Sequence, residues 1–429
     1  MTAASAVGLA AMFAVDVVNL FYISLLGQKE LTAAIGYAGT LLFFVSSVAI
    51  GLSIACTALT SRALGSGDRE RAQSLAGASL VLMVATVTAA SVLLFPLLGA
   101  CLSLLGAQGE THALALRYAR WVLPSAPLIG FGMCCSALLR AVGDARRAMT
   151  LTLFSAAASS LLDPLFIFGL GLGLDGAAAS VWCTRLVMVA AGGWYVLRTR
   201  QLLRWPSATQ LRQTAGNFMA IGLPAVLTQI ATPVGNAFTT HAMAPYGDGA
   251  VAGWAVVVRL IPVAFVVLFA LSGSIGAIIG QNLGAGRIDR VRQTVGESLR
   301  VVVVYVFAVW LLLALSAGGI ASAFSAEGTA REVIVFFSTF VAGSFMFNGA
   351  LFVANAAFNN LGYAFYSTAL NWGRSTIGVA PFVWLGGHFY GVKGIIAGYG
   401  LGVVAFGVVG AWLCFRTLAK MAVSAKVSP

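Results

Sequence analysis

Apolar stretches of about two dozen residues, separated by short polar breaks, run through this chain from end to end. Twelve are marked off, at 3–26, 32–62, 75–100, 113–140, 148–170, 175–197, 215–243, 250–281, 296–324, 332–359, 366–388 and 393–416. A hydrocarbon core about 30 Å thick takes ~20 helical residues, and every stretch reaches that length. The pattern predicts an all-α polytopic membrane protein with about twelve transmembrane helices. The first stretch has no basic segment ahead of it and reads on as a full span, so it is not a cleavable signal. An even number of spans puts both termini on one side of the membrane.

The polar breaks differ in charge. One alternate set holds sixteen Lys and Arg residues, among them Arg62, Arg69, Arg140, Arg147, Arg200, Arg204, Arg287 and Lys420. The other set holds Lys29, Arg331 and Lys393, with Arg117 and Arg120 a turn or so into a helix. Cytoplasmic loops collect basic residues, which places both termini in the cytoplasm of a multi-pass protein of a bacterial inner membrane. Over 429 residues, 60% are apolar and 9% charged, whereas soluble domains carry about 25% charged residues. A soluble body on one anchor is therefore excluded. The net charge of +12 follows from the loop bias, so nucleic acid is not expected as a partner. Six cysteines show no C-x-x-C pair, and His112, His241 and His388 lie far apart, so neither a disulfide framework nor a metal site is indicated.

The chain repeats itself. Leu64-Gly65-Ser66-Gly67 recurs as Leu283-Gly284-Ala285-Gly286, and Val142-Gly143-Asp144-Ala145 as Leu361-Gly362-Tyr363-Ala364, both 219 positions later. Gly173-Leu174-Asp175-Gly176 recurs as Gly391-Val392-Lys393-Gly394, 218 later. A near-constant offset spanning six helices implies two homologous six-helix bundles, related as parallel repeats by a pseudo-two-fold axis along the membrane normal. The bundles are expected at 1–197 and 215–429, with 198–214, rich in arginine and holding Pro206, as a cytoplasmic linker.

Polar groups inside the spans carry the chemistry. Asp16 and Asp163 are the two acidic residues that fall mid-helix, and both lie in the first half. A charge at bilayer depth is costly, which makes an intramembrane carboxylate a functional candidate; the alternative is a hydrogen bond to a neighbouring helix. Two carboxylates in one dry lobe titrate as a coupled unit, as a proton-coupled carrier requires, and the same oxygens also suit Na⁺. Ser159, Ser160, Ser180 and Asn19 are supporting polar candidates. Pro164, directly after Asp163, is either a hinge or a packing kink. Gln229, Asn236, Asn348, Asn355 and Asn371 either line a second-lobe cavity or hold helices together. Arg185, Arg259 and Arg374 are read as lying within or near helix termini, where Arg185 and Arg259 snorkel or bind carbonyl groups.

At these residues the sequence resembles the multidrug and toxic compound extrusion (MATE) family. The stretch Asp16 to Gly27, the loop Ala63-Leu64-Gly65-Ser66-Gly67-Asp68 with Ala72, its second copy at Asn282–Arg290, the turn Arg140 to Arg146, and Leu162 through Ala178 follow the family's motifs in order. Carboxylates in helices one and five, with none in helices seven and ten, are similar to its DinF-like branch, where such a pair belongs to a network that binds the coupling cation. Ser159 stands where that branch usually has Asn, and Val181, beside Ser180, where it usually has Thr; both departures shorten the oxygen set for Na⁺. The chain begins almost at its first helix, short of the family's usual cytoplasmic lead-in, the pattern of a late-assigned start.

The resemblance implies a transporter and not an enzyme, with no cofactor beyond H⁺ or Na⁺. It would act as a monomer, exporting small amphipathic and often cationic compounds across the lipid bilayer in exchange for H⁺ before Na⁺. A lipid or lipid-linked sugar flippase of the same superfamily is the alternative, and two cavity carboxylates argue against its anionic head group. A membrane-embedded transferase or protease would need an Asp-rich, Ser-His or His-Glu set, and none is visible.

Overall fold

In lipid, a chain segment has no water to answer its N–H and C=O groups, so each span must close its own hydrogen bonds. The computed structural model describes residues 1–24 and 29–427, and among the described residues all regular structure is helical. The side chains of Asp16 and Asn19 lie outside the described residues.

In chain order the elements are α1 (Thr2–Ser24), α2 (Lys29–Gly65), α3 (Arg69–Leu104), α4 (Gly109–Ala141), α5 (Ala145–Gly169), α6 (Gly173–Arg198) and α7 (Ala208–Tyr246). There follow α8 in two pieces (Asp248–Ala264 and Val266–Gly284), α9 (Ile288–Ala323), α10 (Gly328–Leu361), α11 (364–390) and α12 (392–427). The last two form one continuous run except at Gly391, whose φ of 58° and ψ of −141° break it. Among the described residues that gives the twelve helices expected from hydropathy. Their ends differ from the apolar stretches: α3 begins at Arg69 and α9 at Ile288, not at 75 and 296. Hydropathy marks the stretch that lipid covers, while the helix continues into polar turns; Asp68 caps α3 by accepting from the Arg71 N–H at 2.9 Å.

The repeat is written in the backbone. Left-handed residues recur in pairs 219 apart: Gly67 and Gly286, Gly106 and Ser325, Gly109 and Gly328, Gly143 and Gly362; Gly173 and Gly391 are 218 apart. Each bundle also repeats its packing. α2 packs against α3 and α4, and α8 against α9 and α10 in the same way. Two compact units result, residues 3–226 and 227–429. The division falls inside α7, later than the 198–214 segment, because the first part of α7 packs on α2, with Gly222 against Leu52.

Residues 200–204 of that segment are stitched to the first unit. Gln73 on α3 donates to the Gln201 carbonyl at 2.6 Å, and its own carbonyl accepts from the Arg204 N–H at 3.2 Å. Asp144, in the turn before α5, accepts from the Arg147 backbone at 3.2 Å and from Arg200 at 2.6 Å. Burial alone would raise the Asp144 carboxyl. The hydrogen bonds from Arg200 and the Arg147 backbone, with the charges of both arginines, outweigh it and hold the carboxyl below the usual carboxylate range.

α11 and α12 touch backbone to backbone. A methyl at Gly402 would run into the Gly378 carbonyl, one at Gly398 into the Phe382 carbonyl, and one at Gly394 into that of Gly386. Small residues four apart allow this approach where lipid supplies no hydrophobic drive between helices. Gly176, the counterpart of Gly394, meets the Phe166 carbonyl in the first unit in the same way.

Gly402→Ala is expected to cost about 1–3 kcal/mol by overpacking, lowering the melting midpoint in detergent. Gly296→Ala, whose methyl would meet nothing within 4 Å, should leave the midpoint level or raise it; equal effects would refute the close-packing account. For the clasp, Asp144→Asn keeps the cap but loses the charge, with an expected loss of about 1–2 kcal/mol at neutral pH. A carboxyl lowered by folding stabilises the native state fully above its unfolded value, about pH 4, and ceases to do so as pH falls through its lowered native value. Melts of both proteins from neutral to acid pH should therefore converge only at the acid end. A gap that persists there would contradict the ion-pair account.

Candidate functional site

The interior of the first unit gathers polar groups where its helices are irregular. α5 carries Asp163, 4% exposed, and Ser159 one turn earlier donates its hydroxyl to Asp163 Oδ2 at 2.8 Å. Pro164 follows directly and brings no N–H to the ladder. The helix does not stop there; it widens into a π turn over Leu165–Gly169, with Leu170 N–H reaching the Leu165 carbonyl at 2.8 Å. From α6, Ser180 Oγ is fully buried and lies within hydrogen-bonding reach of the same carboxyl. Ser160 is half-buried beside this turn.

α1 lies along α5. Gly8 meets Thr152, and the Tyr22 ring packs edge-on to Phe168 at 6.1 Å. These two contacts bracket position 16 on α1 and the Asp163 turn on α5 between the same limits. The Asp16 and Asn19 side chains themselves lie outside the described residues.

A positive group completes the interior. Pro124 and Pro127 interrupt α4 with a short 3-10 turn at Leu123–Ser125. Arg185 on α6 donates to the Ser125 hydroxyl at 2.5 Å and to the Val122 carbonyl at 3.2 Å, while Trp182 donates to the Trp121 carbonyl at 2.8 Å. Of the two roles open to Arg185 on sequence, binding carbonyls is the one it performs. Buried Tyr118 on α4 lies within electrostatic reach of both Arg185 and Asp163. A carboxylate with hydroxyl neighbours in such an interior is equipped to take up a proton or to offer oxygens to a small cation.

The second unit's candidates are distributed over three helices. Asn348 and Asn355 on α10 are buried, each with an unpartnered Oδ1. Asn371 on α11, 2% exposed, donates to the Ser367 carbonyl at 2.8 Å, and the Ser367 hydroxyl reaches the Asn355 carbonyl at 3.3 Å. Asn355 and Asn371 are thus joined through Ser367. Gln229 and Asn236, on α7, are half-buried, and no hydrogen bond among the described residues ties them to the asparagines of α10 and α11. Arg259 on α8 is also in this unit.

Arg374 corrects the sequence reading. It does not sit near a helix end but ten residues into α11, 3% exposed, where it opens a π segment, Arg374–Gly378. Its place well inside the apolar stretch 366–388 was the available signal; the placement near a terminus obscured it.

Comparison with known proteins gives the same picture twice over. The MatE family model matches residues 4–165 and again 224–385, one copy per half. The FAD transporter of Shewanella oneidensis is 28% identical over 402 residues, covering 92% of this chain and 89% of that protein. The multidrug export protein MepA of Staphylococcus aureus is 23% identical over 390 residues, covering 89% and 84%. Among solved structures, the Vibrio cholerae MATE transporter VcmN in its bent form superposes with a TM-score of 0.93 at 28% identity, covering 99% of this chain and 96% of that one. An outward-facing multidrug resistance MATE transporter shares the fold, with a TM-score of 0.92 at 21% identity over 98% and 95%. Matched in both halves by the family's model, the chain belongs to the multidrug and toxic compound extrusion family of membrane transporters.

Proposed function

We propose that this protein is an antiporter of the inner membrane that exports small amphipathic compounds, cationic ones among them, in exchange for H⁺. The observation that carries the reading is Asp163, a nearly inaccessible carboxylate whose hydrogen-bonding neighbours are hydroxyls, with no cation paired to it among the described residues. Such a group binds a proton readily. Na⁺ needs several oxygens at once, and the short Ser159 and the apolar Val181 stand where the DinF-like branch offers longer or additional ones. Asp16 is the second member of the proposed pair. The break at Pro164 and the π turn beyond it supply a point where α5 can change shape next to the carboxylate, as π turns often do at functional sites.

In the cycle this implies, protonation of the Asp16–Asp163 pair weakens binding of the exported compound, and deprotonation at the cytoplasmic face restores it. Alternating access then exposes the site to each side in turn. The names of the relatives, a multidrug export protein and a FAD transporter, support organic substrates of this size range. The protein works as a monomer with both termini in the cytoplasm. A lipid or lipid-linked sugar flippase is the rival reading.

The test is transport in proteoliposomes under an imposed pH gradient or Na⁺ gradient, with ethidium as the exported probe. Asp163→Asn keeps the shape of a protonated aspartate but cannot titrate, and it should abolish pH-driven export with normal yield and melting behaviour. Asp16→Asn should do the same, and the double variant should be scarcely worse than either single one. Asn236→Ala removes no charge and should alter affinity at most. Wild-type export by Asp163→Asn under both gradients would overturn the reading; lipid scrambling without ethidium export would select the flippase.

A further inference from the structure

The second unit holds a buried positive charge that none of the unit's own carboxylates answers. Ten residues into α11, at 1.5 Å per residue, Arg374 stands about 15 Å from the helix start, roughly half the thickness of the hydrocarbon core. One guanidinium nitrogen, Nη2, donates to Thr232 Oγ1 on α7 at 2.9 Å. The Tyr399 hydroxyl on α12 is a hydrogen-bonding neighbour. The Nε–H is buried without a partner. This unit has five carboxylates, Asp248, Asp289, Glu297, Glu327 and Glu332, and all five are exposed. Three of them pair with Arg287, Arg300 and Lys393.

A guanidinium cannot shed its proton, so the charge stays. Two neutral oxygens, of Thr232 and Tyr399, offset little of the cost of burying it. The groups around it are rich in donors. Ser375 Oγ, in a residue 3% exposed, has no partner and faces Gly235. Trp254, fully buried, has an unpartnered Nε1 and stacks edge-on to Tyr399 at 5.1 Å. Arg and Trp nitrogens can only donate, and the three hydroxyls of Thr232, Ser375 and Tyr399 can do so. A small cation meets the like charge of Arg374 here. A carboxylate or phosphate finds a charged fork and hydroxyl donors on three helices.

We propose that Arg374 anchors a binding site, built within the second unit from Thr232, Ser375 and Tyr399, for a carboxylate or phosphate group of the transported compound. The substrate class then includes anionic and zwitterionic amphiphiles beside the cationic ones. The proposal rests on the export reading above, but it concerns binding and can fail separately.

The experiment is fluorescence anisotropy with the full-length transporter in phosphatidylcholine nanodiscs, titrated against carboxyfluorescein, an anionic probe, and ethidium, a cationic one. Arg374→Gln should weaken carboxyfluorescein by about thirtyfold or more, as loss of a buried charge partner does, and leave ethidium within about twofold. Arg374→Lys should fall between, since a point charge does not reproduce the bidentate fork. Ser375→Ala, which leaves the charge in place, should lose carboxyfluorescein affinity selectively even if Arg374→Gln folds poorly. Inorganic phosphate should compete with the dye in the wild type only at far higher concentration. Phosphate binding as tight as the dye would mean a free-anion site and overturn the substrate assignment. Wild-type protein that does not bind carboxyfluorescein, or variants that lose both probes alike, would overturn the site itself. Gradient-driven ethidium export that survives such a failure leaves the coupling reading standing. Loss of coupling with probe discrimination intact would do the reverse.

Discussion

Every backbone N–H and C=O at bilayer depth must find a partner inside the protein, and the rest of this structure depends on that constraint. It makes all described regular structure helical. It also makes each irregularity conspicuous, because a broken helix leaves groups that a side chain must answer. At the break in α4 the answering groups are Arg185 and Trp182. At the break in α8, Tyr305 from α9 donates to the Ala264 carbonyl at 2.7 Å. After Pro164 the ladder answers itself by widening into a π turn. Asp163 stands beside the last of these places.

Duplication supplied the frame and divergence supplied the chemistry. The two bundles share turns residue by residue, down to left-handed positions that fall on glycine in nine of the ten paired sites and on Ser325 in the tenth. Their buried charges do not correspond. Asp163 has Phe382 near its repeat position, and Arg374 has Ser155. One unit therefore encloses a carboxylate among hydroxyls, and the other a guanidinium among donors.

The two ends of the scaffold differ in the same sense. The clasp of Asp144 with Arg147 and Arg200 and the glycine contacts of α11 with α12 are fixed features, made of ion pairs in water or of backbone in direct contact. Close packing reaches the irregular segment beside Arg374 as well, since Gly378, its last residue, lies against Gly402.

Hydropathy and turn chemistry are local properties, and what they govern was legible in the sequence: twelve spans, two homologous halves, and Asp163 as a carboxylate in an apolar run. Glycines at the repeat spacing announced the turns because only a residue without Cβ adopts a left-handed backbone cheaply. Partnership is a different matter. A helix apolar around its whole circumference carries no periodic mark of which face meets which neighbour, so rotation and depth are decided by packing. Tertiary structure alone determined that Ser180 faces Asp163, that Arg185 answers carbonyls of α4, that Asn355 and Asn371 meet through Ser367, and that no carboxylate of its own unit reaches Arg374. The sequence named the polar residues, and the packing of the helices decided which of them were left needing a partner.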